Sequence, residues 1–252
     1  MELIPEAKLR VIADEQKKNL IMLEKDYFLT VFLSLIQNEK GLYFKGGTAI
    51  NKIFLDHVRL SEDLDFTITI SLEDARCIIE KIIEENKDIF SDLSHDKSVH
   101  DFTRFIVRYN SYFDENARLI LDFNKRAKLA LEPEVHAIPN FYGMDIKVPI
   151  LNRKELIAEK VCALMNRNRP RDYFDVYQII KHDIPIDLSL VKEKAAAAQQ
   201  EFSVIKIFNN TKKIYKRWNE DLVQLTEEPV PFEDVMNVLK KYFDYNYNNN
   251  LI

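Results

Sequence analysis

Glycine is scarce, with 4 in 252 residues against a usual share of roughly 7 %. A chain so short of left-handed backbone positions cannot be loop-rich or built on glycine repeats, and is expected to be mainly helical. Cysteine is scarcer: Cys77 and Cys162 lie far apart and outside any CxxC, which excludes a disulfide framework and a zinc knuckle. No run of about 18 apolar residues occurs, so no membrane span is expected. Glu2, Glu6, Lys8 and Arg10 stand where a signal peptide would carry its apolar core, so a soluble protein of the reducing cytoplasm is expected. The histidines at 57, 95, 100, 136 and 182 form no HxH or HxxH pair, and no metal is assigned to them. GxSxG, the P-loop and GxGxxG are absent. An excess of positive charge is missing too. With 36 Lys+Arg against 41 Asp+Glu and a net charge of -5, nucleic-acid binding by bulk charge is excluded, and any such binding must use local patches.

What is present suffices for a folded protein. Hydrophobic residues make up 46 %, enough to bury a core, and the length suits one large domain or two small ones. Helical spacing is expected over 4–18 and, more strongly, over 19–38, where Leu20, Leu23, Tyr27, Val31 and Leu35 recur on one side. Lys40-Gly41 reads as the stop, Leu42–Phe44 as a short strand, and Ala49–Phe54 as a helix after the turn Lys45-Gly46-Gly47-Thr48. Within Arg59–Ile70, Leu64, Phe66, Ile68 and Ile70 alternate with Asp63, Asp65, Thr67 and Thr69, the period of a strand. Ser71 caps the next helix in an acidic variant of the capping box with Asp74. Residues 102–109 and 117–125 read as a hairpin, 126–143 as irregular, and Asp145–Ile150 as a short strand. Helices are expected at 154–167 and 171–181, with Pro170 between them, and again through 186–246. A core of residues 1–150 followed by a helical region of 151–252 is the expected domain division, with a softer break at 182–186. The polar tail 245–252 is expected to fray.

Three groups of residues could carry chemistry. A strand, Gly46-Gly47-Thr48, then a helix presents backbone N–H groups at a helix start, a geometry that cradles phosphate. Asp63 and Asp65, two apart on a strand, point to one side and can share Mg²⁺, which takes hard oxygen ligands and bridges to substrate phosphates. Such a pair serves in-line displacement at phosphorus when two metals sit ~3.5–4 Å apart. Taken singly, each feature is no more than a tight turn or the wet side of an edge strand; their order favours function. Asp122 sits mid-strand among apolar neighbours, where a lone carboxylate is costly. It is either a third metal-binding carboxylate or the partner of Arg104 or Arg108, and the sequence favours neither. Lys160, in an apolar helical stretch, either snorkels outward or addresses phosphate as a point charge. Asp172 and Asp175 share a helix side, and Asp172 also suits a first helical turn on dipole grounds. Lys212, Lys213, Lys216 and Arg217 beside Trp218 form a basic helical patch, commonly a solvated surface and otherwise a nucleic-acid contact.

The segments Glu24-Lys25-Asp26-Tyr27, Phe44-Lys45-Gly46-Gly47-Thr48-Ala49, Arg59 to Phe66, Lys160 to Arg167 and Arg171 to Asp175 together resemble the AbiEii/AbiGii-type nucleotidyltransferase toxins. The resemblance covers roughly residues 20–181. It implies an α+β fold: a polymerase-β-like nucleotidyltransferase core with a small mixed sheet flanked by helices, and a helical C-terminal part. It further implies an Mg²⁺-dependent toxin of a toxin–antitoxin or phage-abortive system, moving nucleotides from NTP to an RNA 3′ end. Related toxins use tRNA, and a cognate antitoxin protein is an implied partner. The family's first motif falls on Gly47, Thr48, Ser61, Asp63 and Asp65, its lysine motif on Lys160 and its late acidic motif on Asp172 and Asp175. Asp122 would be the third carboxylate. Gly46, Gly47, Thr48, Ser61 and Arg171 are thus the expected substrate-binding residues, Asp63, Asp65, Lys160 and Asp172 the catalytic ones, and Asp63, Asp65 and Asp122 the metal ligands. Thr48 replaces the serine of many nucleotidyltransferases and keeps the hydroxyl. Two rivals remain at this stage: a non-catalytic nucleotide- or antitoxin-binding module, which the acidic balance favours slightly, and a nucleotidyltransferase acting on a cationic small molecule.

Overall fold

The computed structural model describes residues 2–99, 101–125 and 129–243. The polar tail 245–252 and His100 lie outside them. The chain divides into two compact units between Asn152 and Arg153. Among the described residues no helix is long and apolar enough to cross a membrane.

The first unit holds α1 (Glu6–Glu15), α2 (Leu20–Ile36), β1 (Leu42–Lys45), α3 (Gly46–Phe54), β2 (Asp63–Ile68), α4 (Leu72–Glu85), β3 (Phe90–Val99), β4 (Phe102–Tyr109), β5 (Arg118–Asn124), β6 (Glu134–Ala137) and β7 (Lys147–Ile150). The seven strands form one mixed sheet in the order β3-β4-β5-β2-β1-β7-β6. β2 runs antiparallel to β1 and parallel to β5. β1 is also parallel to β7, and the remaining pairs are antiparallel.

The period of two decides which side of the sheet is buried. Phe44, Leu64, Phe66, Leu119, Leu121, Phe123, Phe105 and Val107 are all buried. Phe66 stacks on Phe123 with ring centroids 5.1 Å apart, and Phe44 and Phe105 extend the row. The alternate residues of the central strands, Asp63, Asp65, Arg104, Phe102 and Lys45 among them, stay half-buried on the other side. α2 is buried on almost every side, and starts at Asn19, whose side chain accepts from the Met22 amide at 3.1 Å. Its buried Glu24 accepts from Ser111 Oγ at 2.5 Å and from the Tyr112 amide at 2.6 Å. Burial raises the Glu24 pKa against these bonds. Ser71 caps α4 as the capping-box pattern predicts, accepting from the Asp74 amide at 2.9 Å and donating to its carboxylate at 2.6 Å.

Three differences from the sequence reading have physical causes. α3 begins at Gly46 rather than Ala49 because Gly46 has φ +80°, so the strand passes straight into the helix. β2 ends at Ile68, two residues short of the alternating pattern, because Thr69 and Ile70 bend toward Ser71, the cap of α4. β3 and β6 are strands where the sequence predicts none, because β3 is largely polar, β6 has only four residues with Val135 exposed, and both lie at the edges of the sheet.

The second unit is helical: α5 (Arg153–Asn166), α6 (Pro170–Lys181), α7 (Leu188–Ala197), α8 (Val204–Phe208), α9 (Thr211–Leu222) and α10 (Phe232–Tyr242). α5 packs on α6, α7 and α8, while α6 also meets α9 and α10. The Tyr173 hydroxyl sits 3.1 Å from the Leu164 carbonyl and 2.6 Å from that of Ile207. Residues 182–187 form the loop between α6 and α7, inside this unit.

Candidate active site

In the first unit the glycine turn and the acids of β2 come together. Lys45 and Asp65 are cross-strand partners, so the turn after Lys45 is held beside the Asp65 side chain. A Cβ placed on Gly46 would lie 2.2 Å from Asp65 Oδ2, 2.9 Å from its Cγ and 3.0 Å from its Cβ. Only glycine fits there, both for this approach and for the positive φ. The carboxylate therefore rests against the first residue of α3, the positive end of that helix. Thr48 Oγ1 donates to the Asp63 carbonyl at 2.6 Å, tying the first turn of α3 to the start of β2. Its hydroxyl proton is thereby committed to backbone, so Thr48 reaches an anion through its amide. Asn51 Nδ2 donates to the Gly47 carbonyl at 3.0 Å and steadies the same turn.

α3 is anchored from below by a buried ion pair. Lys52 Nζ lies 2.7 Å from Asp26 Oδ2 on α2, with side chains 1 % and 0 % exposed. Lys52 also donates to Thr30 Oγ1 at 3.1 Å, and the Tyr142 hydroxyl donates to Asp26 Oδ2 at 3.0 Å. Burial and the Asp26 charge push the Tyr142 pKa well up. His57, after α3, is buried with Nε2 2.9 Å from the Pro139 carbonyl. Burial lowers its pKa, and the neighbouring Lys52 charge lowers it further.

Asp63, Asp65 and Asp122 share one side of the sheet, since Asp65 and Asp122 are register partners on parallel β2 and β5. Asp122 is nevertheless engaged: Arg104 Nε lies 2.7 Å from its Oδ1 and Nη2 2.7 Å from its Oδ2. Of the two arginines the sequence offers as its partner, Arg104 is the one realised. The bonds to Asp122 drive the Arg104 pKa upward, and the charge of Asp63 adds to it. Among the described residues no group of three or more His, Cys, Asp or Glu side chains is arranged to hold a metal ion. Ser61, just before β2, is buried, and its Oγ has no hydrogen-bond partner among the described residues.

In the second unit Lys160 is buried on α5 with Nζ 3.0 Å from Asp172 Oδ1 and 2.9 Å from Asp175 Oδ2 on α6. Lys160 therefore points inward to two carboxylates rather than snorkelling. Arg171 is half-buried in the first turn of α6. The basic residues of α9 are exposed, with Arg217 bound to Asp221.

Sequence reasoning missed Lys52, Asp26 and Glu24 as buried charges. For Asp26 and Glu24 a signal existed: both interrupt a helix that is apolar on nearly every side. For Lys52 the signal was weaker, a lysine between Asn51 and Ile53 on a short helix.

The family model for the nucleotidyl transferase AbiEii toxin, type IV toxin–antitoxin system, matches residues 27–241. No curated protein matches the sequence. Among solved structures, MenT4, a nucleotidyltransferase toxin from Mycobacterium tuberculosis, superposes with a TM-score of 0.70 at 18 % identity, covering 98 % of this chain and 92 % of that one. JHP933 from Helicobacter pylori gives a TM-score of 0.58 at 19 % identity, covering 92 % and 98 %. These likenesses establish the α+β fold, a mixed sheet flanked by helices.

Proposed function

The chain belongs to the AbiEii family of nucleotidyltransferase toxins of type IV toxin–antitoxin systems, and on that premise we propose that it transfers nucleotides from NTP to an RNA 3′ end, that of tRNA. Membership sets aside the non-catalytic module as a rival, and implies an NTP substrate and an antitoxin counterpart. The observation that carries the reading is the Asp65 carboxylate resting on Gly46 at the start of α3, with Asp63 one alternation away. Backbone amides at a helix start favour a triphosphate, and two carboxylates plus substrate phosphates are the set by which Mg²⁺ is usually held. Asp63 and Asp65 would hold it. When bound, the cation supplies charge compensation at the α-phosphate.

The chain's own residues have the following parts. The amides of Gly46, Gly47 and Thr48 bind the triphosphate. Ser61 offers its unpartnered hydroxyl to a phosphate oxygen. Lys160, paired with Asp172 and Asp175, holds α5 to α6 within the second unit. The acceptor's 3′ oxygen forms a bond to the α-phosphorus, the bond to the bridging oxygen breaks, pyrophosphate leaves and the hydroxyl proton is lost.

The test is label transfer from each radiolabelled NTP to total tRNA with Mg²⁺. Wild type marks RNA, and Asp63→Ala abolishes marking while its melting curve persists. Full activity in that variant sinks the assignment. Label appearing on an aminoglycoside and not on RNA moves the acceptor to a cationic small molecule.

A further inference from the structure

Four charged residues lie in one row across four adjacent strands: Arg104 on β4, Asp122 on β5, Asp65 on β2 and Lys45 on β1, each the register partner of the next. The row is asymmetric about Asp65. On one flank stands the glycine turn, whose first residue touches that carboxylate. On the other flank stands the Arg104–Asp122 pair. Strands sit about 4.8 Å apart, so Arg104 begins roughly two spacings from Asp65, on the side away from the turn. In-line transfer places the leaving pyrophosphate and the attacking oxygen on opposite sides of the α-phosphorus. If the turn binds the triphosphate, the entering strand must come from the flank of Arg104.

We propose that Arg104, aligned by Asp122 and accompanied by Phe102, is the subsite for the 3′-terminal nucleotide of the acceptor RNA. The inference rests on the reading of the function above. Asp122 takes only Nε and Nη2, and Nη1 has no hydrogen-bond partner among the described residues. The Arg104 side chain is 33 % exposed while that of Asp122, which holds it, is 11 % exposed. A fork fixed by one buried carboxylate, with a free donor edge, is suited to a phosphate oxygen. Phe102, two residues along β4 and so on the same side, is half-buried with its ring centroid 6.0 Å from the Arg104 guanidinium carbon. An aromatic ring beside a cation gives a terminal base a surface to stack on and its phosphate a partner, without reading its identity. Asp122 is then a positioning residue, and the metal is left to Asp63 and Asp65.

The test measures steady-state transfer with total tRNA, and separately the binding of periodate-oxidised tRNA, which cannot accept a nucleotide. Arg104→Gln raises the KM for tRNA and weakens binding of the oxidised tRNA by about tenfold, with the KM for NTP unchanged. Phe102→Ala does the same by about tenfold. Asp122→Asn matches Arg104→Gln, the double variant is no worse than either, and the Mg²⁺ dependence stays put. Arg104→Lys keeps the charge without the fork, falls between, and guards against loss of fold. A raised KM for NTP in Arg104→Gln, or loss of turnover with a shifted Mg²⁺ requirement confined to Asp122→Asn, overturns the proposal. If wild type marks no RNA, the functional reading fails by itself. Binding of oxidised tRNA that ignores Arg104→Gln overturns the subsite whether or not transfer occurs.

Discussion

Gly46→Ala is the sharpest perturbation of the site. Two costs follow from its geometry. The backbone sits at φ +80°, where an L residue loses about 1–2 kcal/mol. The new methyl would also lie 2.2 Å from Asp65 Oδ2, and restoring ordinary contact moves the carboxylate by about 1 Å. A displacement of that size at reacting groups costs roughly 10²-fold in rate. Gly143 provides the control: its φ is +73°, and an added Cβ there has nothing within 4 Å. Both variants should lose about 2–8 °C in melting temperature from the strain. Only Gly46→Ala should also lose transfer, by roughly 10²-fold, in initial-rate assays with labelled NTP and tRNA. Equal activity in the two folded variants would refute the idea that Asp65 and the turn form one constellation.

Two further outcomes concern the support of α3. Lys52→Met leaves Asp26 buried with the Tyr142 hydroxyl as its remaining partner, and should cost about 3–5 kcal/mol in urea unfolding, while Lys52→Met with Asp26→Leu should recover most of it; a loss below about 1 kcal/mol in the single variant contradicts a desolvated pair. His57 has its pKa lowered in the fold, so the unfolded state binds the proton more readily. Its contribution is complete above the ordinary histidine value of about 6.5 and is lost as pH falls from there toward the lowered value. His57→Asn, which tolerates the φ of +54° found there, should flatten that acid-side fall in the urea midpoint, and an unchanged slope argues that other groups cause it.

The parts of this molecule legible in its sequence are those decided locally. The capping box at Ser71, the β4–β5 hairpin, the breaks around Pro170 and the common side of Asp63 and Asp65 all follow from periodicity and turn chemistry. β3 escaped because its segment, Ser91 to Val99, is polar and lies at the sheet's edge. At the site, the glycines and acids were visible as motifs, but their meeting is a fact of register: Lys45 opposite Asp65 places Gly46 on the carboxylate. Asp122 shows the limit most clearly. Its burial was deducible from its neighbours, yet whether Arg104 or Arg108 faced it depended on a one-strand pairing that alternation alone leaves undecided. Asp175 likewise binds Lys160 alongside Asp172 because α5 and α6 pack closely, which helical spacing does not specify.

The glycine turn and the two acids of β2 are supplied by one uninterrupted stretch, residues 46–65. Bringing its ends together closes a short loop, whose entropy cost is modest; a loop of about ten residues closes in roughly 10–100 ns. Arg104 and Asp122 meet later, after a further length of chain has left the ribosome at roughly 5–20 residues per second. The order of synthesis thus delivers one flank of the row before the other.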